Sequence, residues 1–245
     1  MSEPLLQIER LGKRFGGFVA LENVDLQVRA GERLGLIGPN GSGKSTLVNC
    51  ISGTLRNETG IVRFDGRVVN RLAAYQRTRI GLARSFQLPR PFRSMTVGQN
   101  LRVPLLYAVN ARRGQRLDEA AIEARGAELL RLVGLDANAG RYPAELTQIE
   151  MRKLELARAM AAQPKLLMAD EAMAGLSHSE IDDILALLHR LVDQGVTIIL
   201  IEHIMRAVMS FSERLVVLVA GRKIADGPPQ DVIRNPEVER AYLGE

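Results

Sequence analysis

The segment "GPNGSGKST", residues 38–46, constrains this chain more than any other. It has the spacing G-x-x-x-x-G-K-[ST] and stands between the apolar run "RLGLI" and the helical pattern "KSTLVNCIS". Glycines let backbone N–H groups wrap around phosphate oxygens, and a helix N-terminus attracts anions. We therefore expect a nucleoside triphosphate site, in which Lys44 reaches the β- and γ-phosphates and the Ser45 hydroxyl contacts Mg²⁺. The predicted phosphate-binding residues are Gly38, Pro39, Asn40, Gly41, Ser42, Gly43, Lys44, Ser45 and Thr46.

Two acidic residues follow a second apolar run, "KLLMA". Asp170 ends this predicted buried strand and is expected to hold Mg²⁺ through water, while Glu171 is expected to polarise the attacking water. A third run, "VTIILI", places His203 at the carboxyl edge of the predicted sheet, where an imidazole can donate to a γ-phosphate. An acidic pair at a strand end and a lone histidine are also common structural features. The phosphate-binding segment in the same chain favours the catalytic interpretation.

The pattern of apolar runs predicts an α/β protein. Runs at residues 5–11, 21–28 and 33–37, separated by glycine-containing turns, predict an antiparallel opening sheet. Continuous apolar runs at 165–169, 196–201 and 214–220 predict a parallel sheet covered by helices. Residues 96–160 have an almost entirely helical pattern, with a polar break near 137–143. We expect a single domain, with β and core parts at about 1–87 and 161–245 and a helical subdomain at about 88–160.

Composition excludes several classes of protein. The chain shows neither a signal peptide nor a run of about 18 uncharged apolar residues, so we expect a cytoplasmic location. The single cysteine, Cys50, excludes a disulfide framework or a cysteine-based metal site within one chain. A net charge of +5 suits an anionic partner, but scattered arginines and only four Tyr and six Phe make a nucleic-acid surface a poor match.

Longer stretches resemble a known family. "RFGGFVAL", "GPNGSGKSTLVNCISG", "RIGLARSFQLPRPFRSMTVGQNL", "LLMADE", "AGLS", "IEH" and "NPEVERAYLGE" occur in this order. From about residue 5 to 244 the chain resembles ATP-binding-cassette (ABC) ATPases, and it is most similar to the ATPase subunit of branched-chain amino acid importers. This resemblance implies a P-loop NTPase core with a mostly parallel sheet, an antiparallel β subdomain and a helical subdomain. It also implies ATP and Mg²⁺ as cofactors.

The resemblance also implies roles for further residues. Phe15 matches an aromatic residue that stacks on adenine; the alternative is a core phenylalanine at a turn. Gln87 matches a glutamine that contacts Mg²⁺ or the attacking water, and the following "LPRPF" suits an exposed docking loop because its prolines exclude helix. Gly175, Leu176 and Ser177 match a loop that crosses a dimer interface.

One segment departs from the family. The signature usually written L-S-G-G-Q, which one subunit presents to the ATP of the other, aligns with Leu146 followed by Thr147, Gln148, Ile149 and Glu150. Residues 147–150 also match S/T-x-x-E, the capping box that opens a helix. We therefore predict a weakened or unusual signature, and a dimer that pairs this chain with a different ATPase subunit rather than with a second copy.

The expected function is ATP hydrolysis that powers an importer of branched-chain amino acids or related small polar solutes. The implied partners are transmembrane permease subunits, a second ATPase subunit and a periplasmic or extracellular solute-binding protein. The expected location is the inner face of the cell membrane. Two alternatives stay open: a regulatory ATP-binding subunit with little hydrolysis, and a soluble ABC ATPase acting on nucleic acid.

Overall fold

The computed structural model describes residues 3–86, 88–112, 114 and 116–243. The strands are β1 (Leu6–Phe15), β2 (Phe18–Val28), β3 (Arg33–Ile37), β4 (Thr59–Phe64), β5 (Arg67–Val68), β6 (Leu82–Ser85), β7 (Leu166–Asp170), β8 (Thr197–Ile201), β9 (Arg214–Val219) and β10 (Arg222–Gly227). The helices are α1 (Lys44–Ser52), α2 (Ala74–Arg79), α3 (Val97–Pro104), α4 (Glu119–Val133), α5 (Gln148–Ala161), α6 (His178–Asp193), α7 (Met205–Phe211), α8 (Pro229–Val232) and α9 (Pro236–Leu243). A π-helical turn, Leu105–Val109, continues α3, and short 3₁₀ turns lie at Asp136–Asn138 and Pro143–Glu145.

Within the described residues, the strands form two sheets. The first is antiparallel and has the order β2-β1-β4-β5. The second has the order β10-β9-β3-β8-β7-β6 and is parallel except for β10, which pairs antiparallel with β9. The expected α/β fold with a mostly parallel sheet and a separate antiparallel sheet is confirmed.

The position of β3 differs from the sequence prediction. Residues 33–37 were expected in the antiparallel opening sheet, and that prediction was wrong. Leu34 pairs in parallel with Ile199 of β8, and Leu36 pairs in parallel with Val216 of β9. The physical reason is burial, because every residue of β3 after Arg33 is buried and a central parallel strand is covered on both faces.

The sheet order brings the candidate functional segments to one edge. Strands β3, β8 and β7 are consecutive neighbours and run parallel, so their carboxyl ends meet. The segment after β3 leads into α1, β7 ends at Asp170, and β8 is followed by Glu202 and His203. In open parallel sheets this edge is where ligands bind.

Helices α3, α4 and α5 lie between β6 and β7 in the sequence and pack against one another. Their shared core includes Leu101 of α3, Leu130 of α4 and Leu154 of α5. The mostly helical pattern expected for residues 96–160 is confirmed, whereas a subdomain divided off at about 88 and 160 stays a prediction. In the part of the chain that the structure describes, no helix has both the length and the apolar character needed to span a bilayer.

Candidate functional site

The phosphate loop, residues 38–43, joins β3 to α1 in a conformation that depends on glycine. Gly43 has φ 102° and precedes the first residue of α1, Lys44. A Cβ on Gly38 would lie 2.1 Å from the carbonyl oxygen of Leu218, and a Cβ on Gly43 would lie 2.7 Å from that of Ala20. These separations are too short for a side chain, so the loop can pack this closely only with glycine at both positions.

Lys44 folds back over the phosphate loop. Its Nζ donates hydrogen bonds to the carbonyl oxygens of Gly38, at 2.7 Å, and Pro39, at 3.0 Å. Burial lowers the pKa of this ammonium, and the negative charges of Glu171 and Asp170 oppose that shift. The cation therefore lies at the N-terminus of α1 and within the field of both carboxylates.

A cleft of about 260 Å³ opens beside the phosphate loop. It is lined by Phe15, Phe18, Ala20, Asn40, Gly41, Ser42, Gly43, Lys44, Ser45, Thr46 and Glu171. Phe15 is 50% exposed at the end of β1, and the Nζ of Lys13 lies 5.2 Å from the centroid of its ring. The alternative of a core phenylalanine is therefore wrong, and the exposed ring is available to a planar ligand.

The two acidic residues at the end of β7 have different environments. The side chain of Asp170 is only 8% exposed, and its Oδ2 accepts a hydrogen bond from Arg84 at 2.5 Å. Glu171 lines the cleft with a left-handed φ of 47°, while its backbone N–H donates to the carbonyl oxygen of Ile201 at 2.9 Å. A non-glycine residue in this region is strained, and such strain is found preferentially at functional sites.

His203 lies at the same sheet edge, but it is not among the described residues that line the cleft. Its side chain is 62% exposed, and its Nδ1 lies 3.9 Å from Oε2 of the buried Glu202. The Oε1 of Glu202 accepts a hydrogen bond from the N–H of Met173 at 2.9 Å, and burial raises the pKa of this carboxyl. Glu202 therefore ties the end of β8 to the loop after β7. Gln87, the other predicted catalytic residue, lies outside the described residues.

The segment 147–150 forms the capping box that the sequence predicts. The Thr147 hydroxyl accepts from the N–H of Glu150 at 3.3 Å, and Glu150 Oε2 accepts from the N–H of Thr147 at 2.8 Å. Glu150 Oε1 also accepts from Asn138 at 2.7 Å and lies 3.8 Å from Arg141. The pKa of this carboxyl is lowered chiefly by the bond from the Thr147 backbone, with Asn138 and Arg141 acting in the same direction. The Glu150 carboxylate is thus held by its own chain.

The signature segment touches the predicted dimer loop. The side chain of Gln148 donates to the carbonyl oxygen of Ala174 at 3.2 Å, and Arg152 donates to the same oxygen at 3.1 Å. At Gly175, where φ is 78°, an added Cβ would lie 2.5 Å from Nε2 of Gln148. Gln148, in a position where the family usually has glycine, therefore packs against the loop formed by Gly175, Leu176 and Ser177.

Removing the Thr147 cap is expected to lower stability modestly. Thr147→Ala should reduce the free energy of unfolding by about 1 kcal/mol, because the N–H of Glu150 loses its acceptor. Urea denaturation followed by circular dichroism measures this change. Ser177→Ala, which removes the equivalent cap of α6, is the matched control and should cost a similar amount. A Thr147→Ala variant as stable as the parent, beside a destabilised Ser177→Ala variant, would contradict the capping role.

A second surface feature lies between β6, α3 and α5. It is a groove of about 420 Å³, here named the aromatic groove, with exposed rings from Tyr75, Phe86, Phe92 and Tyr107. Arginine guanidinium groups lie over three of these rings, at 5.1 Å for Arg79 on Tyr75, 5.2 Å for Arg84 on Phe86 and 5.1 Å for Arg158 on Phe92. The residues that follow Gln87 are non-helical as expected, and Leu88 is 71% exposed beside the groove.

Several residues at the site were missed by sequence reasoning. Arg84 pairs with Asp170, Glu202 anchors Met173, and Arg152 holds Ala174. Tyr242 of α9 forms a hydrogen bond with the backbone of Gly38, and burial raises the pKa of its phenol. A charged residue inside an otherwise apolar strand pattern, as in "LARS", is the signal that could have identified Arg84.

The cleft fits a nucleotide and a hard metal ion in the chemistry of its groups. The ammonium of Lys44 and the N-terminus of α1 suit phosphate oxygens. The Ser45 hydroxyl, which lines the cleft, is an oxygen donor of the kind that Mg²⁺ prefers. The Asp170 carboxylate is a second such donor; it lies at the end of β7 and is not among the residues that line the cleft. No cluster of three or more His, Cys, Asp or Glu ligands occurs among the described residues.

Comparisons with known proteins agree with this site. The ABC transporter family model matches residues 21–174, and a model of the branched-chain amino acid ATP-binding cassette transporter matches residues 222–245. The chain is 38% identical over 255 residues to the high-affinity branched-chain amino acid transport ATP-binding protein BraF of Pseudomonas aeruginosa, with 100% of both chains covered.

Solved structures give the same result. The ADP conformation of MJ1267, an ATP-binding cassette of an ABC transporter, is 31% identical and superimposes with a TM-score of 0.88 over 100% of both chains. A dimeric post-hydrolysis state of the ATP-binding cassette MJ0796, bound to ADP and Pi, is 26% identical with a TM-score of 0.81, over 91% of this chain and 98% of that one. The chain therefore belongs to the ABC transporter family. It is an ATP-binding subunit with ATPase activity, and it is related to the ATP-binding proteins of branched-chain amino acid transport.

Proposed function

We propose that this chain hydrolyses ATP to power the import of branched-chain amino acids or related small polar solutes. The observation that carries the proposal is the single cleft in which the phosphate loop, the exposed ring of Phe15 and the carboxylate of Glu171 come together. The similarity to BraF over the whole chain supports the class of solute.

The phosphate loop is proposed to hold the triphosphate. Lys44 already lies across the loop through its bonds to Gly38 and Pro39, and it would exchange them for β- and γ-phosphate oxygens. The backbone N–H groups of residues 40–46 would bind the remaining phosphate oxygens. Phe15 would stack on adenine, because its ring is exposed at the mouth of the same cleft.

Hydrolysis is proposed to depend on the edge formed by β7 and β8. Mg²⁺, when bound, would neutralise phosphate charge; Ser45, Asp170 and Gln87 are the residues proposed to hold it. Glu171 would accept the proton of the attacking water, since its carboxylate lines the cleft with Lys44. His203 would donate to the γ-phosphate after a movement of its exposed side chain toward the cleft.

We further propose that the working unit is a heterodimer with a different ATPase subunit. Residues 147–150 and the dimer loop contact each other through Gln148 and Ala174, so they would meet a partner as one surface. This surface has no glycine pair and contains the Glu150 carboxylate near the position of a partner's nucleotide. The site built around Lys44 would therefore be the stronger one, completed by a partner with a more usual signature.

The aromatic groove is proposed as the contact for a transmembrane permease. Its rings and arginines combine apolar area with hydrogen-bond donors, a composition typical of the central part of protein interfaces. Arg84 also lines the groove and pairs with Asp170 at the end of β7, so a docked permease would lie close to the proposed metal ligand. We propose that the subunit works on the inner face of the cell membrane, in a system that also has a periplasmic or extracellular solute-binding protein.

A regulatory subunit with little hydrolysis is the second candidate, and the altered signature favours it. An uptake assay separates the two. Proteoliposomes that contain the complete transporter, with ATP and Mg²⁺ inside and the solute-binding protein with radiolabelled leucine outside, should accumulate leucine and release phosphate together. Glu171→Gln in this chain, which keeps ATP binding, should lower both rates if this chain hydrolyses ATP for transport. Unchanged rates in this variant would contradict the proposed function and favour the regulatory candidate.

A further inference from the structure

Arg84 connects two elements that contribute to the proposed metal site. It lies on β6, the edge strand that pairs with β7 through Arg84 and Met168. One terminal nitrogen donates to Oδ2 of Asp170 at 2.5 Å, and the other donates to Oδ1 of Asn49 in α1 at 2.6 Å. A single guanidinium therefore bridges the end of β7 and the helix that begins at the phosphate loop.

This bridge is largely closed off from water. The side chain of Arg84 is 12% exposed and that of Asp170 is 8% exposed. A planar guanidinium with fixed donor directions holds two acceptors in one geometry, which the point charge of a lysine cannot do. With water excluded, the orientation of the Asp170 carboxylate is set by this contact rather than by solvent.

We infer that Arg84 is a positioning residue that orients the Asp170 carboxylate for the metal of a bound Mg-ATP and fixes its distance from α1. The inference rests on the proposed metal role of Asp170. Ser45, the other described residue proposed to contact the metal, belongs to the same helix as Asn49, so the Arg84 bridge sets the spacing between the two donors. Residues that orient a metal ligand in this way typically change metal affinity by 10- to 100-fold when they are altered.

If Arg84 acts through the metal, replacing it should change the ATP affinity measured with Mg²⁺ and leave the affinity measured without Mg²⁺ unchanged. The phosphate loop contacts ATP without Arg84, so affinity measured in EDTA should be the same in the parent and in Arg84→Lys. The increase in affinity on adding Mg²⁺ should be about tenfold smaller in Arg84→Lys. Isothermal titration of the purified full chain with ATP, in EDTA and in Mg²⁺, measures both quantities. An unchanged Mg²⁺-dependent increase in Arg84→Lys would overturn the inference. A larger increase would overturn it as well, because it would mean that Arg84 competes with the metal for Asp170.

Three further variants make the test specific. Arg77→Lys is the matched control, because Arg77 is buried and donates to the carbonyl oxygens of Cys50 and Ile51 in α1 without touching Asp170; it should keep the Mg²⁺-dependent increase. Should Arg84→Lys fail to fold, Asn49→Ala removes the α1 end of the bridge, together with an exposed hydrogen bond from Thr54, and leaves the contact between Arg84 and Asp170 in place. It should reduce the increase several-fold, and no reduction would overturn the inference. Asp170→Asn should abolish the increase. If Asp170→Asn retains the Mg²⁺-dependent increase in ATP affinity, the proposed metal role of Asp170 fails. If Asp170→Asn loses this increase while Arg84→Lys keeps it in full, only the role of Arg84 is refuted.

Discussion

Replacing Glu171 with glutamine is expected to lower ATP turnover of the assembled transporter by about 10²- to 10⁴-fold while ATP binding is retained. The amide keeps the size of the side chain but cannot accept a proton from water. Binding should persist, because Lys44 and the phosphate loop are the groups proposed to hold the triphosphate, and this substitution leaves both in place. Phosphate release and equilibrium binding of a fluorescent ATP analogue measure the two quantities separately.

The matched control for this prediction is Glu213→Gln. Glu213 is about half exposed at the start of β9 and pairs with Arg33 at 3.6 Å, at the opposite end of the sheet from the cleft. An exposed pair of this kind contributes little, so the control should keep parental turnover. Normal turnover in Glu171→Gln would remove Glu171 from the role of the base, and loss of ATP binding would indicate that the variant had disrupted the cleft itself.

The phosphate loop and its helix could be predicted from sequence because their signals are local. The bounds predicted for α1 from "KSTLVNCIS" agree with the structure, and the capping box at Thr147 and Glu150 is present as expected. In both places a few adjacent residues determine backbone geometry: glycines permit a left-handed turn, and a threonine hydroxyl satisfies a helix N–H.

The remaining features depend on contacts that no local pattern encodes. β3 was predicted in the wrong sheet because an apolar strand of five residues is compatible with either one, and its neighbours β8 and β9 lie far along the chain. The Arg84 and Asp170 pair joins residues separated by 86 positions. Only the topology, which makes β6 and β7 neighbours, brings these two side chains together.

The second large effect is expected from the altered signature. If residues 147–150 meet a partner's nucleotide as proposed, a dimer of the isolated chain uses those residues of a second copy, and the Glu150 carboxylate then faces phosphate. At a few ångströms this repulsion costs on the order of 1 to 4 kcal/mol for an effective dielectric of 80 to 20. Because Glu150 is held by Asn138 and by the backbone of Thr147, a movement away from phosphate would not relieve the cost without breaking the cap. We expect turnover per site to be lower in the isolated chain than in the complete transporter, by about fivefold at the lower cost and several hundredfold at the higher one.

Glu150→Gln tests whether the negative charge at this position lowers turnover, because it removes the charge and keeps the cap of α5. Glutamine also completes a capping box, so α5 should keep its stability while the negative charge is removed. Turnover of the isolated chain should rise in this variant, whereas Glu145→Gln, which neutralises an exposed glutamate in the preceding 3₁₀ turn, should leave it unchanged.

We propose that this chain builds a competent ATP site around Lys44 and Glu171 and depends on a different subunit to complete it. The direct measurement is steady-state phosphate release by the isolated full chain and by the complete transporter, at equal concentrations of this chain with saturating ATP and Mg²⁺. We predict release at least about fivefold slower from the isolated chain. Equal rates, with ATP-dependent dimers of the isolated chain, would contradict the claim.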